Sequence, residues 1–160
     1  MTLVHEAVLI RGEEAETLAS ETSAIRLLVD SSSTGGALST QRVTLAAGAN
    51  GAVPHHHTAS TEFFYILNGT VQVLAGDKVL VLGQGDVAVV PPNMPHAFAA
   101  APDCEADLLI VITPGIERFE YFRLLAKVRS GEATLQDLLD SQELYDTHFL
   151  DSPVWTQERS

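Results

Sequence analysis

Three histidines stand together at His55, His56 and His57, and a glutamate follows at Glu62, at the head of the apolar run Phe63-Phe64-Tyr65-Ile66-Leu67. In an extended segment side chains alternate between faces, so His55 and His57 point one way and His56 the other. A turn through Thr58 to Thr61 can bring the Glu62 carboxylate back toward that imidazole pair. Two neutral imidazoles and one carboxylate form a borderline donor set suited to Fe, Mn, Ni, Co, Cu or Zn. A fourth donor stands downstream, where Gly85 to Val90 reads as a strand that enters the turn Pro91-Pro92-Asn93-Met94-Pro95 and leaves it at His96. The expectation is one divalent metal ion per chain on His55, His57, Glu62 and His96. Adjacent histidines alone also fit a solvated polar loop; the two segments in order favour the metal.

The two segments together resemble the paired motifs of the cupin superfamily. The first is intact in His55, His57, Glu62 and Gly69, and the second runs from Gly85 through Pro91 to His96. Three positions depart from the pattern. The glycine before the first histidine is Ala49, flanked by Gly48 and Gly51; the glycine of the second turn is Asn93; and the closing asparagine falls at Ala100. Asn is the non-glycine residue best able to enter a left-handed turn, so Asn93 fits its place. The resemblance covers Gly48 to Ala100 and implies a jelly-roll β-barrel.

Composition limits the partners. The 160 residues fit one domain with a single sizeable core. Nine basic residues against 21 acidic ones give a formal net charge of −12 and an isoelectric point near 4.7. Such a field repels phosphate-dense partners and anionic bilayers, so neither nucleic acid nor membrane is expected as a partner. Met1 to Glu6 lacks a basic segment followed by an apolar one, and no apolar run is long enough to span a bilayer; the expected location is the cytoplasm. Cys104 is the sole cysteine, which excludes an internal disulfide and a cysteine-based zinc cluster.

The elements that must position the donors are short strands. Val4 to Ile10 is apolar, Arg11 to Thr22 is acidic and reads as a loop or short helix, and Ile25 to Val29 and Leu38 to Leu45 read as strands around a Ser/Thr/Gly turn. Further runs follow at Val53 to His57, Glu62 to Leu67, Thr70 to Leu74, Lys78 to Val81, Asp86 to Val90, His96 to Ala100 and Leu108 to Ile112. Asn68-Gly69 and Gly76-Asp77 are expected to make hairpin turns between them. The pattern predicts an all-β class, a jelly-roll barrel over 1–113, with a helical extension over 114–160 that packs on the barrel. In the extension, Ile116, Phe119, Phe122, Leu125 and Ala126 recur at helical spacing up to Gly131, and Thr134 with Asp137 marks the start of a second helix from Leu135 to about Tyr145. The apolar tail Tyr145 to Trp155 is expected to fold back on the barrel. Leu3 to Ile10 and Ile25 to Val29 are candidate edges for a homodimer.

The helix after Pro114-Gly115 and the Tyr145-Asp146, Phe149, Trp155 ending resemble small single-cupin, quercetinase-like proteins. That resemblance implies a dioxygenase acting with O2 on a flavonol-like or other aromatic enol, with Glu62 both as ligand and as general base. A cyclase or isomerase of a polyketide-like or sugar-like carbonyl compound, working without O2, is the alternative, and a non-catalytic small-molecule-binding cupin is a third. By strand parity Phe64 and Ile66 share the face of Glu62, and Phe98 that of His96, which makes them the expected substrate pocket.

Overall fold

Val43 and Leu45, and opposite them Leu108, Ile110 and Ile112, are buried while the residues between them are not, so two paired strands present one face inward. The computed structural model describes residues 6–160 and has ten strands. In chain order they are β1 (Thr17–Ala19), β2 (Ser23–Val29), β3 (Ser39–Leu45), β4 (Asn50–His56), β5 (Thr61–Ala75), β6 (Lys78–Gly83), β7 (Val87–Val90), β8 (His96–Ala100), β9 (Ala106–Thr113) and β10 (His148–Phe149). All pairings are antiparallel. One face of the roll is ordered β1-β2-β3-β9-β5-β7 and the other β6-β5-β8-β4-β10.

Strand β5 belongs to both faces. Its first half pairs with β9 and β7, its second half with β6 and β8, and the change comes at a register shift between Ile66 and Asn68. Asn68-Gly69 is therefore not the hairpin its composition suggests but a bulge inside one long strand. Gly69 has φ +79, and a Cβ there would lie 1.8 Å from the Glu105 carbonyl oxygen, so only glycine fits the bend. Gly76-Asp77 does close a tight turn, with Ala75 opposite Lys78. Phe64, Ile66, Val71, Val73 and Leu108 fill the space between the faces with no exposed area.

Three helices follow the strands: α1 (Phe119–Ser130), α2 (Leu135–Asp140) and α3 (Pro153–Glu158). Helix α1 starts at Phe119, later than the apolar periodicity indicates. Its free N–H groups at Arg118 and Phe119 donate to the Asp30 carboxylate at 2.6 and 3.2 Å, a cap supplied from the far side of the chain. Thr134 and Asp137 form a reciprocal cap on α2, which ends at Asp140 and continues as turns. Tyr121, Phe122 and Leu138 bury against Leu27, while Trp155 of α3 packs on Leu74, Ala97 and Ala99, outside the roll. Arg159 secures that end, donating to Gln72 Oε1 at 2.6 Å and to the Gly48 carbonyl at 2.7 Å.

The run from Leu3 begins outside the described residues, and its described part, Glu6 to Ile10, forms no strand. In the Ile25 to Val29 run β3 pairs along one side, while on the other β1 pairs with Ala24 to Arg26 and the Glu16 carbonyl takes the Leu27 N–H, so that any open edge is confined to its last residues. No helix among the described residues is long and apolar enough to cross a membrane.

The bend at Gly69 sets a first prediction. Gly69→Ala combines a left-handed backbone with a collision against fixed backbone, and should lower unfolding free energy by about 3 kcal/mol. Urea denaturation measures this, and an unchanged midpoint would show that the bulge relaxes freely.

Candidate metal centre

His55 lies near the end of β4, His57 just past it, Glu62 at the start of β5 and His96 at the start of β8. Cross-strand register places His55 directly opposite His96. The short loop from Thr58 to Ser60 then turns the chain so that Glu62 comes back to the pair. The four side chains are buried, and one donor atom from each lies within 4.8 Å of all the others. His56 faces away and stacks on His148 with ring centroids 5.1 Å apart.

The outward nitrogen of each imidazole is fixed by a backbone carbonyl. His55 Nδ1 meets the Val53 carbonyl at 2.7 Å, His96 Nδ1 that of Met94 at 3.0 Å, and His57 Nδ1 that of Asp146 at 2.6 Å. A carbonyl only accepts, so each Nδ1 carries the hydrogen and each Nε2 of a neutral ring presents a lone pair inward. Glu62 Oε2 faces the Nε2 atoms of His57 and His96 at 3.0 and 2.6 Å. Acceptors in such contact need a shared cation or additional protons between them. Three nitrogens and a carboxylate oxygen, each steadied from outside, fit one divalent ion of the borderline group.

Without an ion, burial and the neighbouring charges act on these groups in opposite senses. Burial pushes the His55 pKa well below the ordinary value, helped by neighbouring His96 and His57. Burial alone would raise Glu62, but His96 and His57 outweigh it and hold the carboxyl well below its usual range. For His96 burial is likewise opposed by Glu62, and the net shift is upward.

Asp146 was not visible as a site residue in the sequence, apart from its place in the resemblance of the chain's ending. It stands at φ +45, and its carboxylate accepts from Thr58 N at 3.0 Å, Thr58 Oγ1 at 2.7 Å and Ala59 N at 3.1 Å. The same residue therefore orients His57 through its carbonyl and braces the loop between His57 and Glu62 through its side chain. Asn93, at φ +67, adds a backbone N–H to the His57 carbonyl at 2.7 Å.

His55 and Glu62 open onto a cavity of about 560 Å³ between the inner face of the roll and the roof made by α1 and α2. Phe98 lines it, as its parity with His96 indicates. Phe64 and Ile66 do not: they are fully buried behind the site, with the Phe64 ring edge-on to His96 and Phe98. Parity places them on the inner face, but the core occupies that part of it. The cavity wall instead includes Arg118, Tyr121 and Phe122 from the start of α1, none of which the motifs point to.

Replacing His57 or His96 by Ala should remove the ion, measured by metal analysis of the purified protein; full occupancy in both variants would defeat the assignment. Asp146→Ala keeps the carbonyl on His57 but removes the carboxylate that braces the Thr58 loop, so it should retain the fold by circular dichroism while weakening metal binding about tenfold.

Residues 41–112 match the family model of the cupin domain. A search of curated proteins returns no significant match. Among solved structures, a predicted oxalate decarboxylase from Thermotoga maritima is similar at a TM-score of 0.59 and 20% identity, over 66% of this chain and 98% of that one. The iron(II) form of HppE matches at 0.56 and 22%, over 69% and 62%. A nucleoside dehydratase, whose variants are described from Streptomyces, matches at 0.54 and 15%, over 68% and 83%. At these identities the likeness concerns the fold, which is a cupin jelly roll.

Proposed function

We propose that this protein is a metal-dependent cupin enzyme, a quercetinase-like dioxygenase that acts with O2 on a flavonol-like or other planar aromatic enol. The observation that supports it is the opening of a three-histidine, one-glutamate centre, through His55 and Glu62, into a large apolar cavity walled by Phe98, Tyr121 and Phe122. A divalent ion held there supplies Lewis acidity toward an enol oxygen and, when redox-active, a route for electrons to O2.

The chain's own residues do the rest. Glu62 is the carboxylate of the donor set that lines the cavity, and it takes the enol proton as the hydroxyl becomes an enolate. The aromatic wall holds a planar ring against the centre, and the α1 and α2 roof keeps bulk water from the reacting carbon. His55, His57 and His96 keep their inward tautomer throughout, because their Nδ1 hydrogens stay on backbone carbonyls.

The test is oxygen uptake by metal-loaded protein against a flavonol panel. Glu62→Gln keeps an oxygen donor but loses the base, so turnover should fall at least about 100-fold while ligand affinity changes little. Anaerobic conversion of a polyketide-like or sugar-like carbonyl compound, with no oxygen uptake on any flavonol, would replace the dioxygenase reading by a cyclase or isomerase. The nucleoside dehydratase of the same fold makes that outcome chemically reasonable.

We also propose a homodimer formed through β7. This edge strand pairs only with β5, and Val87 and Val89 lie exposed beside Tyr65 on its outer face. Two copies of such an edge can pair across a two-fold and cover the patch. Sedimentation should give a dimer at micromolar concentration for the wild type and a monomer for Val89→Glu; a wild-type monomer would refute it.

A further inference from the structure

Arg118 stands at the start of α1 and lines the same cavity as His55 and Glu62, with only 4% of its surface exposed. Its guanidinium carbon sits 4.1 Å from the centre of the Tyr121 ring and 5.1 Å from that of Phe122. Nη1 donates to Thr147 Oγ1 at 2.8 Å and to the Tyr145 carbonyl at 3.4 Å, while buried Nε has no acceptor. Among the described residues the arginines that bridge to carboxylates are Arg42 and Arg123, not Arg118. The nearby Asp30 carboxylate accepts from the backbone N–H groups of Arg118 and Phe119 instead.

A guanidinium remains charged at any ordinary pH, and a buried charge without a counter-charge is costly. Arg159, which ties down the tail through the carbonyls of Gly48 and Ala100, is half-buried and does not line the cavity, whereas Arg118 is almost fully buried on the cavity wall. Arg118 is thus placed where a ligand in the cavity can meet its unpartnered Nε and give it the direct ion pair that the neighbouring Asp30 and Glu62 carboxylates do not make. Gln41 adds a second unused group on that wall, because its buried Oε1 has no donor partner. It can accept from a ligand hydroxyl. On the cavity wall Glu62 and Asp151 stand against Arg118 and Arg129, so a divalent ion held at the centre would leave the cavity cationic within a chain of net charge −12.

We propose that Arg118 is the anion-recognition residue of the cavity: it binds an anionic oxygen, enolate, phenolate or carboxylate, of an aromatic ligand whose other end faces His55 and Glu62. The proposal rests on the cavity being the ligand site and is independent of whether O2 is consumed. Arg118 is a specificity residue for the charge state of the ligand. The Tyr121 and Phe122 rings, edge-to-face with one another and both packed against the guanidinium, hold its donors in place, which favours a flat, charged partner over a neutral one.

The test is calorimetric binding to the full chain, both metal-loaded and chelator-treated, with two matched pairs of probes. One pair is 2-naphthoate and neutral 2-naphthamide; the other is 3-hydroxyflavone, above and below the pH of its ionisation, and flavone. The wild type should favour at least one anion over its neutral counterpart by about tenfold or more, with or without metal. Arg118→Met should abolish that preference while leaving the affinity for the neutral probe within about threefold, and Arg118→Lys should keep part of it. Preference for naphthoate alone assigns a carboxylate ligand, and preference for ionised 3-hydroxyflavone alone an enolate. Equal binding of anion and neutral probe by the wild type would overturn the proposal even if Arg118→Met does not fold, as would an undiminished preference in a folded Arg118→Met. Oxygen uptake enters none of these measurements, so failure of the dioxygenase reading leaves this result standing.

Discussion

Everything at this site depends on keeping several lone pairs pointed at one another in a place water does not reach. Left alone, three imidazole nitrogens and a carboxylate in contact would rotate away, because acceptors facing acceptors gain nothing. Three carbonyls prevent that by holding the opposite edge of each ring. Two of these carbonyls, Val53 and Met94, lie two residues before the histidine they orient, so the strand geometry that places the ring also sets its tautomer. The third, Asp146, comes from a segment 89 residues away. His57 stands beyond the end of β4, where no neighbouring strand can fix it, and the tail supplies what the sheet does not.

This makes the carboxyl-terminal segment part of the centre. Strand β10 adds to the outer edge of β4, with Phe149 opposite His55 and His148 opposite His56. That pairing holds the turn at Asp146 against the Thr58 loop, and α3 with Trp155 and Arg159 closes the segment onto the other side of the roll. Helices α1 and α2 lie between these anchors and roof the cavity. A change that loosens the tail therefore reaches the metal through His57 and the ligand through Arg118, whose Nη1 is bonded to Tyr145 and Thr147.

What the sequence reveals follows from how local the cause is. The donor set is legible because strand alternation and a short loop bring His55, His57 and Glu62 together within a few residues, and His96 follows a turn of recognisable composition. Gly76-Asp77 and the Thr134-Asp137 cap are legible for the same reason. Asn68-Gly69 misleads: the residues that favour a hairpin also favour a bulge, and the close approach of the Glu105 carbonyl is what decides between them. The start of α1 is hidden because its cap, Asp30, is 88 residues from Arg118. Phe64, Ile66 and Phe98 share the inward parity, yet only Phe98 reaches the cavity; alternation gives the face of a sheet and not the depth at which a side chain sits on it.

Charge reads differently at the two scales. Summed over the chain, the acidic excess argues against anionic partners, and it describes the outer surface. Inside, the sign reverses. Arg118 and Arg129 stand against Glu62 and Asp151 on the cavity wall, so a divalent ion at the centre would leave a positive balance, and the low dielectric there makes each charge count for more than any surface carboxylate separated from it by water. A small anion near the mouth meets repulsion from the surface that salt screens, and then attraction that salt hardly reaches. Glu62, on the cavity wall and held as a carboxylate by its histidine neighbours, faces the same space as Arg118.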